Sequence, residues 1–184
     1  AKPEDTLSVT KQGKQLAVSL PAAPLDPVDT VVVVELDGSP RVDAPVVQQQ
    51  DDGPITLDYI RAITAGKTVK RFNRKGKFHI SKWTEPSDTI SWVIDVARPG
   101  VYRVAVTYAA NPEWQGQPYR ITMNEQVLVA SVEPTGDWYQ YKAFTLDTLA
   151  FASPGRYTLV MRPDKALNND LMYFQSIVLT PSSE

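Results

Sequence analysis

The 184-residue sequence contains no cysteine and one histidine, His79. The first absence excludes a disulfide framework, a thiol nucleophile and every thiolate metal site. The second excludes a histidine-rich metal site, although one His would still suffice for a Ser-His-Asp triad. His79 sits in "GKFHISKW", alternating with Phe78 and Ile80. It reads as a strand residue with no chemistry of its own. No apolar run approaches the ~18 residues that a membrane helix needs, so no membrane insertion is expected. The opening "AKPEDTLSVT" lacks the apolar core of a signal peptide. The expectation is that a signal was removed or that the chain is a piece of something longer. Charge of one sign is also missing: 19 Lys and Arg face 21 Asp and Glu, a net −2. Nothing global draws this chain to nucleic acid or to an acidic membrane.

Helical segments are scarce as well. Fifteen prolines are spread along the chain, and one inside a helix costs ~3 kcal/mol. What recurs instead is short β-type runs bounded by Pro, Gly, Asn and Asp. "TLSVTK" and "QLAVSL" flank "KQGK", which reads as a hairpin turn. "TVVVVELD" lacks polar alternation and is expected to be covered on both faces. Residues 46–53, within the polar, proline-bounded "SPRVDAPVVQQQDDGP", read as a linker. From residue 54 onward about ten strand candidates follow, from "ITLDYIRAI" to "LMYFQSIVLT". "NRKG" (73–76) and "NEQ" (124–126) are expected hairpin turns, and 57–64 is an alternative short helix. Regular short strands with turn signals indicate an all-β antiparallel sandwich or jelly roll.

One phrase occurs twice. "ARPGVYRVAV" carries Pro99-Gly100 and Tyr102, and "ASPGRYTLVM" carries Pro154-Gly155 and Tyr157. Proline presets φ, and glycine accepts a conformation other residues avoid. The phrase reads as equivalent turns in the two halves of a sandwich, scaffold rather than site.

The segments "HISKWTEPSDTISWVIDVARPGVYRVAVTYA", "TGDWYQYKAFTL", "SPGRYTLVMRP" and "NNDLMYFQSIVLT" together resemble jelly-roll carbohydrate-binding modules of the family 6 and family 35 kind. The resemblance covers residues ~55–181. The first part points elsewhere. "LSVTKQGKQLAVSLPAAPLDPVDTVVVVELDGSPRV" resembles the last strands of the β-sandwich that follows the catalytic barrel in bacterial α-L-fucosidases. Leu20-Pro21, Asp26-Pro27, Asp29-Thr30, Glu35, Gly38 and Pro40 carry the likeness. A barrel of ~250 residues does not fit in this chain beside those modules, so no catalytic carboxylate is carried over.

The resemblances imply a C-terminal, non-catalytic region of a fucosidase-like glycoside hydrolase. Residues 1–45 would supply the last strands of a partial β-sheet domain, and 54–184 a jelly-roll module. The implied partners are a carbohydrate, a fucosylated glycan among the candidates, and the parent catalytic domain. The implied place is the bacterial periplasm or exterior. The alternative is a purely structural or protein-docking sandwich with no sugar site.

Sugar recognition needs exposed aromatic faces for C–H stacking and a few polar groups to fix hydroxyls. Trp114 in "ANPEWQGQP" and Trp138 in "EPTGDWYQY" lie in loop sequence, and Trp83 lies at a strand end. Trp92 alternates with Ile90 and Ile94 and reads as core. By resemblance Trp138 presents a stacking ring, and Asn168 or Asn169 bonds a sugar hydroxyl; a plain Asx turn is the alternative for the asparagines. The related modules also carry structural calcium, for which Asp170 and Asp58 are the candidates here, short of the usual acidic pair. Asp51-Asp52 reads as a solvated turn, since a glycosidase needs two carboxylates held on rigid elements across a sugar. No such facing pair is expected. The Lys/Arg-rich run "KTVKRFNRKGKFHISK", with Phe72 and Phe78 interleaved, reads as a solvated cationic hairpin. Single-strand nucleic acid or an acidic glycan are its functional alternatives.

Overall fold

The computed structural model describes residues 7–13, 15–22, 32–33, 38, 44–50, 53–74 and 76–182. The chain divides into two compact units, Ala1–Val42 and Asp43–Glu184.

In the first unit, β1 (Val9–Gln12) and β2 (Gln15–Val18) pair antiparallel. Gly13 in the turn has φ 63°, as the "KQGK" turn requires. Most of "TVVVVELD" lies outside the described residues. Its Val32 and Val33 are exposed and outside regular structure, contrary to the expected double cover. The side chains of β1 and β2 are themselves exposed throughout, so the described part of this unit offers no second layer.

The second unit is a β-sandwich. Its strands are β3 (Val46–Gln48), β4 (Ile55–Asp58), β5 (Ile63–Ala65), β6 (Lys70–Arg74), β7 (Lys77–Ser81), β8 (Thr89–Val96), β9 (Gly100–Ala109), β10 (Pro118–Met123), β11 (Gln126–Ser131), β12 (Lys142–Phe151), β13 (Gly155–Pro163) and β14 (Tyr173–Pro181). One sheet runs β11-β10-β13-β8-β3, with β5 also on β8. The other runs β12-β9-β14-β7-β6, with β4 also on β14. Among the described residues every pairing is antiparallel except β3 with β8.

Period-two sequence explains the two layers. In β8, buried and partly exposed residues alternate without a break, and Ile90, Trp92, Ile94 and Val96 face inward. Trp92 meets Phe174 of the opposite sheet with ring centroids 5.6 Å apart, and its indole N–H donates to the Asp58 carbonyl at 2.9 Å. Trp92 is therefore core, as its alternation indicates. The expected hairpins at 73–76 and 124–126 join β6 to β7 and β10 to β11.

Two local expectations change. Residues 57–64 form no helix: β4 ends at Asp58, a turn follows, and β5 starts at Ile63. The Asp58 carboxylate makes that turn by accepting the N–H groups of Ile60 and Arg61. The expected linker opens with β3, where Val47 is buried. Gln49, also buried, binds the Ala97 and Arg98 N–H groups through Oε1 and donates from Nε2 to the Tyr102 hydroxyl at 2.7 Å. A polar-looking segment thus belongs to the sandwich because its amide satisfies buried backbone.

The repeated phrase opens one strand in each sheet. Gly100 and Gly155 have φ 143° and 141°. The Tyr102 hydroxyl donates to the Arg98 carbonyl at 2.8 Å, and that of Tyr157 to the Ser153 carbonyl at 2.7 Å. Both rings pack edge-on against Phe151.

Candidate functional site

At the far end of β9 from the Pro-Gly corner, several loops meet around a groove of about 300 Å³. It is lined by Trp114 and Glu113 after β9, Trp138 between β11 and β12, and Asn168, Asn169 and Asp170 between β13 and β14. Tyr173 at the start of β14, and Lys82 and Thr84 after β7, complete it.

Each loop is fixed by its own sequence. Asn111 caps a 3₁₀ turn, Pro112–Trp114, by accepting the Glu113 N–H at 3.2 Å, and proline occupies the first turn. The buried Thr135 hydroxyl accepts the Ala110 N–H at 2.9 Å and so ties the Trp138 loop to the end of β9. The Asp137 carboxylate accepts the Trp138 N–H at 2.6 Å. The Asn168–Asn169 loop is stitched to the segment after β7: Leu167 N–H donates to Thr84 O, and Leu171 N–H to Trp83 O.

The rings form one cluster. Trp114 lies 5.1 Å from Trp138 and 5.3 Å from Tyr173, and Trp138 lies 5.6 Å from Tyr173. Trp138 is 41 % exposed and Trp114 only 3 %. Trp138 therefore offers a face to solvent, and Trp114 backs it edge-on. Asn168 and Asn169 are exposed. Four of the five candidate binding residues read from sequence thus line one groove. Trp83 does not. It is fully buried edge-on against Phe174, and only its backbone serves the site. A strand-end tryptophan beside an aromatic core strand has nowhere drier to go.

Asp170 accepts the Trp83 N–H at 3.1 Å. Burial pushes its carboxyl up to about 6, against the opposing pull of backbone N–H groups and the nearby Lys82 charge. Burial, followed by the charge of Asp170, raises the Tyr173 phenol to about 12, so it stays a hydroxyl. Glu113 and Asp170 both line the groove. Glu113 is exposed, and Asp170 is engaged in holding the loop.

Asp58 is placed apart from this site. It opposes Ser176 in β14, and its carboxylate pairs with the Arg61 guanidinium at 2.9 Å. Among the described residues no group of three or more His, Asp or Glu is placed to hold a metal ion.

Sequence reasoning missed Lys82, Tyr173 and Glu113. Tyr173 had a local signal: in "MYFQ" the neighbours Tyr173 and Phe174 must point to opposite faces of a strand. Lys82 had none.

Comparison with known proteins bears on the fold. No family model and no curated protein matches the chain. Solved structures do. A native family 35 carbohydrate-binding module from Clostridium thermocellum aligns with TM-score 0.57 and 16% identity, covering 70% of this chain and 98% of that one. The Podospora anserina GH26-CBM35 β-(1,4)-mannanase gives 0.57 and 24%, over 72% of this chain but only 28% of the mannanase. The mosquito-larvicidal Cry4Aa toxin from Bacillus thuringiensis gives 0.57 and 14%, over 76% of this chain and 25% of the toxin. The fold is the jelly-roll sandwich of such modules. Its presence in a toxin shows that the fold alone does not fix function.

Proposed function

We propose that the chain is a non-catalytic accessory region that binds or orients glycans for a larger glycoside hydrolase. One observation carries this reading: exposed Trp138, backed by Trp114 and Tyr173, meets Asn168, Asn169 and Lys82 in a single groove. Stacking and hydrogen-bonding groups converge there as a saccharide requires. The likeness of fold to carbohydrate-binding modules supports it. The likeness of residues 1–45 to the end of a fucosidase β-sandwich extends it. On that basis the parent enzyme is an α-L-fucosidase, the glycan is fucosylated, and the setting is the bacterial periplasm or exterior. Tethering raises the local concentration of substrate without touching the chemistry.

The rival reading, a structural or docking sandwich, draws on the near-complete burial of Trp114. Titration with fucosylated, galacto- and xylo-oligosaccharides, followed by tryptophan fluorescence, separates the two. Saturable quenching that disappears in Trp138→Ala is expected. No response to any of the three sinks the binding reading.

A further inference from the structure

The edges of the sandwich are finished unequally. An open sheet edge invites a further strand, and proteins blunt such edges with charge, proline, bulges or brevity. β6 carries Lys70, Arg71 and Arg74. β12 is broken by a register shift between Thr145 and Thr148, and the Gln126 side chain occupies both the N–H and the C=O of its Ala150. Among the described residues the far flank of β8 has β3 and β5, three residues each.

β11 has none of these devices. It ends its sheet, and among the described residues no strand lies on its second flank. Its sequence "QVLVAS" holds no charge and no proline, and its register with β10 is unbroken over all six residues. Val127 and Val129 are 50 % and 63 % exposed. Residues two apart share a face, so these two form one apolar strip beside Thr122 and Arg120 of β10. The Arg120 charge is neutralised by Asp164. On the other face Leu128 and Ala130 pack against the core yet stay only partly buried. Both faces of β11 thus stop short of full cover, and the edge between them presents the backbone N–H and C=O groups of alternate residues.

We propose that β11 pairs with β11 of a second copy of this chain, antiparallel across a two-fold axis through Leu128. The strand is its own complement in that register. Val127 opposes Val129 twice on the outer face, where β-branched pairs stabilise a sheet. On the inner face Leu128 opposes itself and Gln126 opposes Ala130. Glu125 of the hairpin turn meets Ser131, so no like charges face each other. Moving the axis to Val129 would set Glu125 against Glu133, and moving it to Val127 would set Glu125 against Val129. A two-fold contact uses the bare edge of each copy once and closes, so association stops at the dimer. The Ser131 end of β11 is tied to the loop of Trp114, because the Val132 N–H donates to Gln117 O and the Gly116 N–H to Val132 O. The axis therefore places the two grooves at opposite ends of the dimer. Such a dimer bridges two glycan chains instead of gripping one twice; this consequence rests on the glycan-binding reading above, and the pairing does not.

The test is sedimentation velocity on the whole chain from about 5 µM to about 1 mM. A reversible dimer with a dissociation constant on the order of 50 µM is expected, since a single edge contact is smaller than a standard interface. Val129→Lys sets a charge against Val127 at two places and should weaken the dimer about tenfold or more. Val101→Lys, at an exposed valine of β9, should leave it unchanged. The chain has no cysteine, so single substitutions report the register. Directly opposed residues lie about 4.5–5.5 Å apart, within reach of a disulfide, and diagonal ones do not. A mixture of Val127→Cys and Val129→Cys proteins should therefore oxidise to cross-linked heterodimers, and neither protein alone should. A chain still monomeric at about 1 mM overturns the proposal and leaves the glycan-binding reading standing. So does a dimer that survives Val129→Lys, or one in which either cysteine variant cross-links by itself as fast as the mixture.

Discussion

The two ends of β9 are built on opposite plans. At its first residue the Pro-Gly corner leaves little over. The Tyr102 and Tyr157 hydroxyls return to carbonyls four residues upstream, and both amide atoms of Gln49 are occupied. Among the described residues, a hollow of about 200 Å³ beside Arg98 and Gly100 has Tyr102 as its one aromatic, which is 2 % exposed. At the other end capacity remains. Trp138 keeps an open face, and Asn168 and Asn169 stand in solvent. The buried polar atoms without partners among the described residues are Trp83 Nε1, Gln117 Oε1 and Tyr119 Oη. None of the three lines the groove, and the Trp83 ring turns into the core against Phe174.

The sharpest way to break this contrast is to truncate the corner. Tyr102→Ala removes a fully packed ring and strands the Gln49 amide, and about 3–5 kcal/mol of stability should go with it. Tyr157→Ala, at a half-buried copy of the same turn, should cost clearly less. Urea unfolding measures both; a negligible loss for Tyr102→Ala would remove the corner from the scaffold.

Asp88 gives the next largest effect. Its buried carboxylate accepts the N–H groups of Lys67, Thr68, Thr84 and Glu85 and the Thr68 hydroxyl, which pins one flank of the groove. Burial alone would raise its pKa, but these donors outweigh it and hold the carboxyl down at about 2. A depressed carboxylate stabilises the fold above its unfolded pKa and stops doing so as pH falls through the folded one. The contribution, roughly 2 kcal/mol, should be complete above pH ~4 and fade toward pH ~2. Asp88→Asn should flatten the acid limb of the stability profile; an unchanged limb refutes the assignment.

Trp138→Ala is the counterpart at the open end. A ring with a solvent face contributes little to folding, so stability should move by less than about 1 kcal/mol. Affinity for the best-binding oligosaccharide should fall about tenfold or more, as for an aromatic anchor. A large stability loss without a binding defect would assign Trp138 to the scaffold and erase the difference between the ends.

That difference was half legible in the sequence. The corner could be read because every part of it is local: proline, glycine, tyrosine and the alternation after them. The strand β8 was legible for the same reason. Trp114, Trp138, Asn168 and Asn169 stood out as aromatics and amides among turn residues. β3 was hidden because it pairs in parallel with a strand more than forty residues away, and Gln49 after it looks solvated until its buried partners are known. That Lys82 and Tyr173 meet in one groove was hidden because which loops converge is set by the register of β7 and β14. Trp83, at a strand end, was read as a binding candidate beside the loop residue Trp138, and its packing on Phe174 removes it from the groove.

The smallest effect sets the two carboxylates Asp88 and Asp170 against each other. Asp88 is surrounded by donors; Asp170, at the groove, is not compensated to the same degree, and burial leaves its carboxyl at about 6. A raised carboxyl has the opposite sign. The folded state keeps a proton that the unfolded chain has released, so stability should decline as pH rises from ~4 to ~6 and be level above it. Partial exposure of Asp170 limits the change to about 1 kcal/mol. Together the pair predicts a stability maximum near pH ~4. Asp170→Asn should remove the decline on the alkaline side and leave the acid limb of Asp88 intact. If the decline survives that substitution, the groove carboxylate is as well satisfied as the structural one, and the two flanks of the site are built alike.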